Sequence, residues 1–100
     1  MIPFGFNPEA RLEFRESARY YESQQPVLGH RYVDAVRDAI TRIRSHPQLY
    51  REIEPGIRQC RIPRFPYGII YRVRNLTVEI LALMHLNRKP GYWDDRTETE

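Results

Sequence analysis

Ile57-Arg58-Gln59-Cys60-Arg61-Ile62, Arg64-Phe65-Pro66-Tyr67-Gly68-Ile69-Ile70-Tyr71-Arg72-Val73-Arg74 and Val78-Glu79-Ile80-Leu81-Ala82-Leu83-Met84-His85 decide the fold of this chain. All three runs are rich in branched and aromatic residues and are separated by turn formers, the signature of β-strands. The connections are a few residues long, whereas a parallel crossover needs a dozen or more. An antiparallel three-strand meander follows. Within it, Ile69, Tyr71 and Val73 are expected on one face and Ile70, Arg72 and Arg74 on the other. In the last run Val78, Ile80, Ala82 and Met84 should alternate with Glu79, Leu81, Leu83 and His85. Apolar residues on both faces mark these two runs as the central strands. Asn87-Arg88-Lys89-Pro90-Gly91-Tyr92-Trp93 closes the region.

Working outward towards the N-terminus, the pattern becomes helical. Asn7-Pro8-Glu9 reads as a helix start, with Asn as the cap, Pro in the first turn and Glu at the positive end of the dipole. Ala10, Phe14, Ala18 and Tyr21 then lay one apolar stripe along the helix, which should break near Gln25, before Pro26. A second helix is expected from about Leu28 to Ser45, with Val33, Val36, Ile40 and Ile43 as its stripe and Pro47 just beyond its end. The short connection makes the two an antiparallel hairpin. Residues 47–56 read as a linker, with Leu49 and Tyr50 tucked under the helix end. Met1 to Phe6 would be a poor edge strand, because Pro3 removes a ladder donor and Gly5 packs nothing. The expected class is α+β, a helix hairpin on one face of a small antiparallel sheet whose other face stays partly open. Residues 1–100 are expected to form one domain, and 97–100 read as a frayed acidic tail.

Charge distribution narrows the function. The chain has 16 basic and 13 acidic residues, and Lys89 is its one lysine. Between Arg58 and Asp94 the one acid is Glu79, against Arg58, Arg61, Arg64, Arg72, Arg74, Arg88 and Lys89. Arginine forks grip carboxylates and phosphates, so an acidic protein segment or a nucleic-acid backbone is the expected partner. One cysteine, Cys60, excludes an internal disulfide and fits a reducing compartment. No apolar run approaches the roughly 18 residues of a membrane span, and the start carries no signal-peptide pattern. A cytoplasmic location is expected.

The ordered set Asn7-Pro8-Glu9-Ala10, Ala18-x-Tyr20-Tyr21-Glu22, Leu28-Gly29, Pro47-x-x-Tyr50, Arg58, Phe65-Pro66-Tyr67-x-Ile69-x-Tyr71 and Leu81-Ala82-x-x-His85-x-x-Arg88-x-Pro90-x-Tyr92-Trp93 resembles the RelE/ParE superfamily of bacterial type II toxins. The resemblance implies a basic toxin held inactive in a hetero-oligomer with a cognate antitoxin. ParE-like members of that superfamily act on DNA gyrase, and RelE-like members cut messenger RNA on the ribosome without a metal.

No zinc, phosphate-loop or serine-nucleophile motif is present, so no cofactor is expected, and catalysis, if any, would be metal-free. A ribonuclease would need a proton carrier and cations around the phosphate. His85 would move the proton, Arg61 and Arg88 would hold the phosphate, and Tyr92 or Trp93 would stack a base. Arg58, Arg61, Arg64, Arg72, Arg74, Arg88, Lys89 and Trp93 form the expected surface for target or antitoxin. Each also has a structural reading: His85 as a strand-end cap, the arginines as ion pairs, Tyr92 and Trp93 as aromatic packing. Gly68 stands where many RelE-like nucleases carry an arginine, which tilts the reading towards gyrase. The alternatives are the ribosome-dependent nuclease and an inactive relative that keeps the antitoxin contact.

Overall fold

The computed structural model describes residues 1–97. Strand β1 (Phe4–Phe6) leads into helices α1 (Pro8–Gln24) and α2 (Leu28–Ser45), followed by β2 (Arg51–Glu54), β3 (Ile57–Arg61), β4 (Tyr67–Arg74) and β5 (Thr77–His85). A 3-10 turn, Asp94–Thr97, ends the described chain. The five strands form one sheet in the order β1-β5-β4-β3-β2. The α+β class, the helix hairpin and the central position of β4 and β5 agree with the sequence reading. No described helix is long and apolar enough to cross a membrane.

The helices start and stop where their caps dictate. Asn7 Oδ1 accepts from the Glu9 N–H at 2.9 Å, satisfying one of the orphan donors of the first turn. Helix α2 has no side-chain cap of its own. Glu22, from the end of α1, supplies one, accepting from the N–H groups of Gly29 (2.9 Å) and Val27 (3.1 Å). These bonds hold its carboxyl below the usual range. Gly29 lets the helices meet this closely, since a Cβ there would sit 2.8 Å from the Ala18 carbonyl oxygen. The turn also forces Val27 to φ 73°, a left-handed geometry in which a β-branched side chain is strained by about 1–2 kcal/mol. Val27→Gly should therefore raise the thermal midpoint by a few degrees after allowing for glycine's greater freedom in the unfolded chain. A lower midpoint by circular dichroism would contradict this.

The hairpin packs on one face of the sheet around Tyr32, Val36, Ile40, Ile43, Ile69, Tyr71, Val78, Ile80 and Leu83. Polar atoms in this layer are satisfied. Ser17 Oγ donates to the Tyr32 hydroxyl at 2.7 Å, and the Tyr71 hydroxyl donates to the Pro47 carbonyl at 2.6 Å. Burial pushes the Tyr71 pKa up to about 12. Tyr50 packs against this core, but Leu49 does not, being 71% exposed.

Three features depart from the expected meander. First, Arg51–Glu54 is a strand, antiparallel to β3, not a linker. Only Ile53 in it is apolar, as suits a charged edge strand that resists pairing with other chains. Second, β1 is a real strand and runs parallel to β5, with Phe4 opposite Val78 and Phe6 opposite Ile80. The helix hairpin supplies the crossover length.

Third, β5 is bulged: Ile70 pairs with Ala82 but Tyr71 with Ile80, leaving Leu81 extra. A bulge shifts the alternation by one residue. Val78, Ile80 and Leu83 therefore face the helices. Leu81, Ala82 and Met84 join Ile57, Ile70 and Trp93 in a second cluster. The face expected to stay partly open is covered there by the chain after β5. Thr97 belongs to the 3-10 turn; the rest of the expected tail, 98–100, lies outside the described residues.

Candidate functional site

The bulge and the shortness of β1 leave the edge of β5 without a strand partner just beyond Ile80, and side chains fill the gap. Asn7 N–H donates to the Ile80 carbonyl at 2.9 Å, the last rung from the N-terminal side. Next, Arg96 Nη1 donates to the Leu81 carbonyl at 2.8 Å. Glu13 Oε1 accepts from the Leu83 N–H at 3.1 Å. Glu13 and Arg96 also bind each other through two bonds of 3.0 Å, the bidentate geometry that makes such pairs strong. Arg96 is 7% exposed. Burial works against its charge, but the Glu13 carboxylate outweighs it and keeps the guanidinium above its ordinary pKa.

Residues 86–97 close over this pair. Two guanidinium groups approach the Tyr92 ring, Arg88 at 3.5 Å and Arg96 at 5.0 Å from its centroid, a doubled cation–π contact. Burial and the nearby Glu13 charge push the Tyr92 pKa well up. Arg88 Nη1 also comes within 3.7 Å of Glu13. Beside it, a groove of about 320 Å³ is lined by Glu13, Glu16, Tyr20, Tyr67, His85 and Arg88 among others. The His85 ring meets the edge of Tyr67 with centroids 5.1 Å apart. Its Nδ1 accepts from the Asn87 N–H at 3.1 Å.

The expected catalytic residues are therefore brought together only in part. His85, Arg88 and Tyr92 cluster at the end of β5. Arg61 does not join them: it pairs with Gly68, which pairs with Met84, so it projects from the opposite face to His85, whose partner is Tyr67. Gly68 is buried, and a Cβ there would lie 3.3 Å from Gln59 and 3.4 Å from Leu86. No cation stands in its place.

The wider basic set also divides. Arg58 donates to the Tyr50 carbonyl at 2.7 Å and ties the segment before β2 to β3. Arg72 Nε is 2.6 Å from Glu79, and Arg74 Nη2 is 3.7 Å from the same carboxylate. Arg61, Arg64 and Lys89 are exposed and make no ion pair among the described residues. Trp93 is fully buried, which corrects its assignment to a contact surface or a base platform: it is core. Cys60 is buried too, and burial pushes its thiol up in pKa, as in an inert structural cysteine. Among the described residues, no cluster of histidine, cysteine or carboxylate groups could hold a metal ion.

Glu13 and Arg96 escaped the sequence reading. The one available signal is local: Glu13 directly precedes Phe14 in the apolar stripe, so a carboxylate lies beside the buried face of α1. Arg96 offers none, standing 83 residues away in sequence.

Residues 5–90 match the family model described as "ParE toxin of type II toxin-antitoxin system, parDE". Among solved structures, a chain from the chromosomal ParDE toxin–antitoxin system of P. aeruginosa is similar with a TM-score of 0.62. Its sequence identity is 17%, with 87% of this chain and 98% of that chain covered, a likeness of fold. No curated protein matches the sequence.

Proposed function

Because the chain belongs to the ParE toxin family of type II toxin–antitoxin systems, we propose that it arrests growth by acting on DNA gyrase, without cleaving RNA, until a cognate antitoxin binds it. The observation that supports this choice is the lining of the histidine-bearing groove. Two carboxylates line it, Glu13 and Glu16; Glu13 is neutralised by Arg96, which leaves the Glu16 charge to repel an incoming phosphate. Its one arginine is already engaged with Tyr92 and Glu13. The second phosphate-holding arginine, Arg61, projects from the other face. A nuclease site needs cations converging on one phosphate, and this groove does not offer them.

The antitoxin reading rests on charge. Arg61, Arg64 and Lys89 are exposed cations without an ion-pair partner among the described residues, suited to an acidic segment. Arg72 and Arg74 border them in sequence, although each already meets Glu79. Arg58 and Trp93 hold the fold instead.

The test is induced expression of the full chain, with and without its antitoxin, scored for transcript cleavage and for gyrase-linked DNA breaks. Arrest with intact transcripts and broken DNA is expected, and His85→Ala should arrest growth as strongly as the unaltered chain. Cleaved transcripts that disappear in His85→Ala would establish the ribonuclease instead. Absence of arrest would make the chain an inactive relative.

A further inference from the structure

Four of the eight large apolar side chains left in solvent among the described residues lie at one end of the sheet. Val73 pairs with Val78 across β4 and β5, and Val78 with Phe4 across β5 and β1. These three residues form a row across the helix-facing side. Val78, in the middle, is buried, but Val73 is 42% and Phe4 39% exposed. Just past the row the chain reverses at Asn75-Leu76, where Leu76 is 77% exposed. Met1, 74% exposed, precedes β1 at the same end, because β1 runs parallel to β5.

The turn backbone adds an independent observation. Asn75 and Leu76 have φ of 55° and 58°, the positive pair that a two-residue hairpin turn demands. Asparagine tolerates this geometry, but leucine does not, and glycine would remove both the strain and the exposed apolar surface. Leu76 thus costs the isolated fold twice. A strained, exposed apolar residue at a loop tip points to a contact made elsewhere.

The surroundings define the partner's chemistry. The Arg44 guanidinium lies 5.1 Å from the Phe4 centroid. The nearest acid in sequence, Glu79, is turned to the other face with Arg72. Leu76 is an exposed residue of a two-residue turn, so a partner that covers it must offer a pocket. A wrapping, extended segment would take the open edge of β1 beside the turn, not the turn itself. We propose that the β4–β5 turn docks into an apolar, carboxylate-rimmed pocket on the folded protein that this toxin arrests, with Leu76 as the anchor. This rests on the gyrase reading above.

The experiment compares the full chain with Leu76→Gly, Leu76→Asn and Leu76→Met in three measurements: thermal midpoint, inhibition of purified gyrase and binding of the cognate antitoxin. Leu76→Gly and Leu76→Asn should melt at or above the unaltered chain and bind antitoxin equally well. Both should need at least about tenfold more protein to inhibit gyrase, as loss of an anchor residue does. Leu76→Met, still apolar, should keep most of the inhibition. Loss of function in a protein no less stable has no folding explanation. Undiminished inhibition by Leu76→Gly overturns the docking role alone, and so does loss of antitoxin binding with inhibition intact. Failure of the unaltered chain to inhibit gyrase overturns the gyrase reading, and this proposal with it.

Discussion

Glu13→Ala is expected to destabilise the protein by about 3–5 kcal/mol, the range for breaking a buried ion pair from one side. For a chain of this size that lowers the thermal midpoint by more than about 10 °C. The cost has three sources. Arg96, 7% exposed, would keep its charge with the exposed Glu9, 3.6 Å away, as its remaining carboxylate among the described residues. The Leu83 N–H would lose its acceptor. Arg88 would lose the carboxylate 3.7 Å away, loosening its stack on Tyr92. Arg96→Ala should cost a similar amount, because it removes the donor to the Leu81 carbonyl and leaves Glu13 with the Leu83 N–H and the more distant Arg88. The double variant should cost clearly less than the two single losses added, as residues in one network do. Chemical denaturation of the four proteins measures this cycle. Additive losses, or a Glu13→Ala loss below about 1 kcal/mol, would mean that the pair does not close the strand edge.

That pair also shows where reading the sequence stops. Local rules placed the helices well: the Asn7 cap and the Pro26 break are settled within a few residues, α2 spans Leu28–Ser45 as expected, and its stripe holds at Val36, Ile40 and Ile43, with Tyr32 buried where Val33 was expected. The central strands were legible because β4 and β5 carry unbroken apolar runs. β2 was not, since Arg51-Glu52-Ile53-Glu54 has the composition of a linker and pairs only because β3 lies beside it. The bulge was not legible either. Val78 to Met84 reads as regular alternation, and its phase shift at Leu81 becomes visible only against the β4 register.

Strand register also decided the site. His85, Arg88 and Tyr92 are neighbours in sequence and stay neighbours in space. Arg61 has the right chemistry but lies on the wrong face, which only strand register reveals. Arg58 and Arg72 look like free cations in the sequence because their partners, the Tyr50 carbonyl and Glu79, are supplied by pairing between segments. Composition counts charges; the fold decides which remain to be offered.

Trp93→Ala should be the other severe substitution, costing about 3–5 kcal/mol as large aromatic truncations in cores do. Trp93 is fully buried against Ile57, Ile70, Leu81, Ala82 and Met84, so it joins residues 86–97 to the second face of the sheet. Its loss would open a cavity and free Tyr92, whose ring meets it edge-on at 5.6 Å. Trp93→Phe should cost much less. The indole N–H is buried with no hydrogen-bond partner among the described residues, so phenylalanine removes an unpaired donor while keeping most of the apolar contact. The chain has a single tryptophan, so its fluorescence reports this packing directly: a blue-shifted emission in the native protein should move to the red on unfolding. Urea titrations of the three proteins followed by circular dichroism give the ranking. Equal midpoints for Trp93→Ala and the unaltered chain, or native emission already at the wavelength of exposed tryptophan, would show that this segment does not rest on the sheet. The Arg96–Glu13 closure would then lose its support, because the chain that carries Arg96 is anchored there by Trp93.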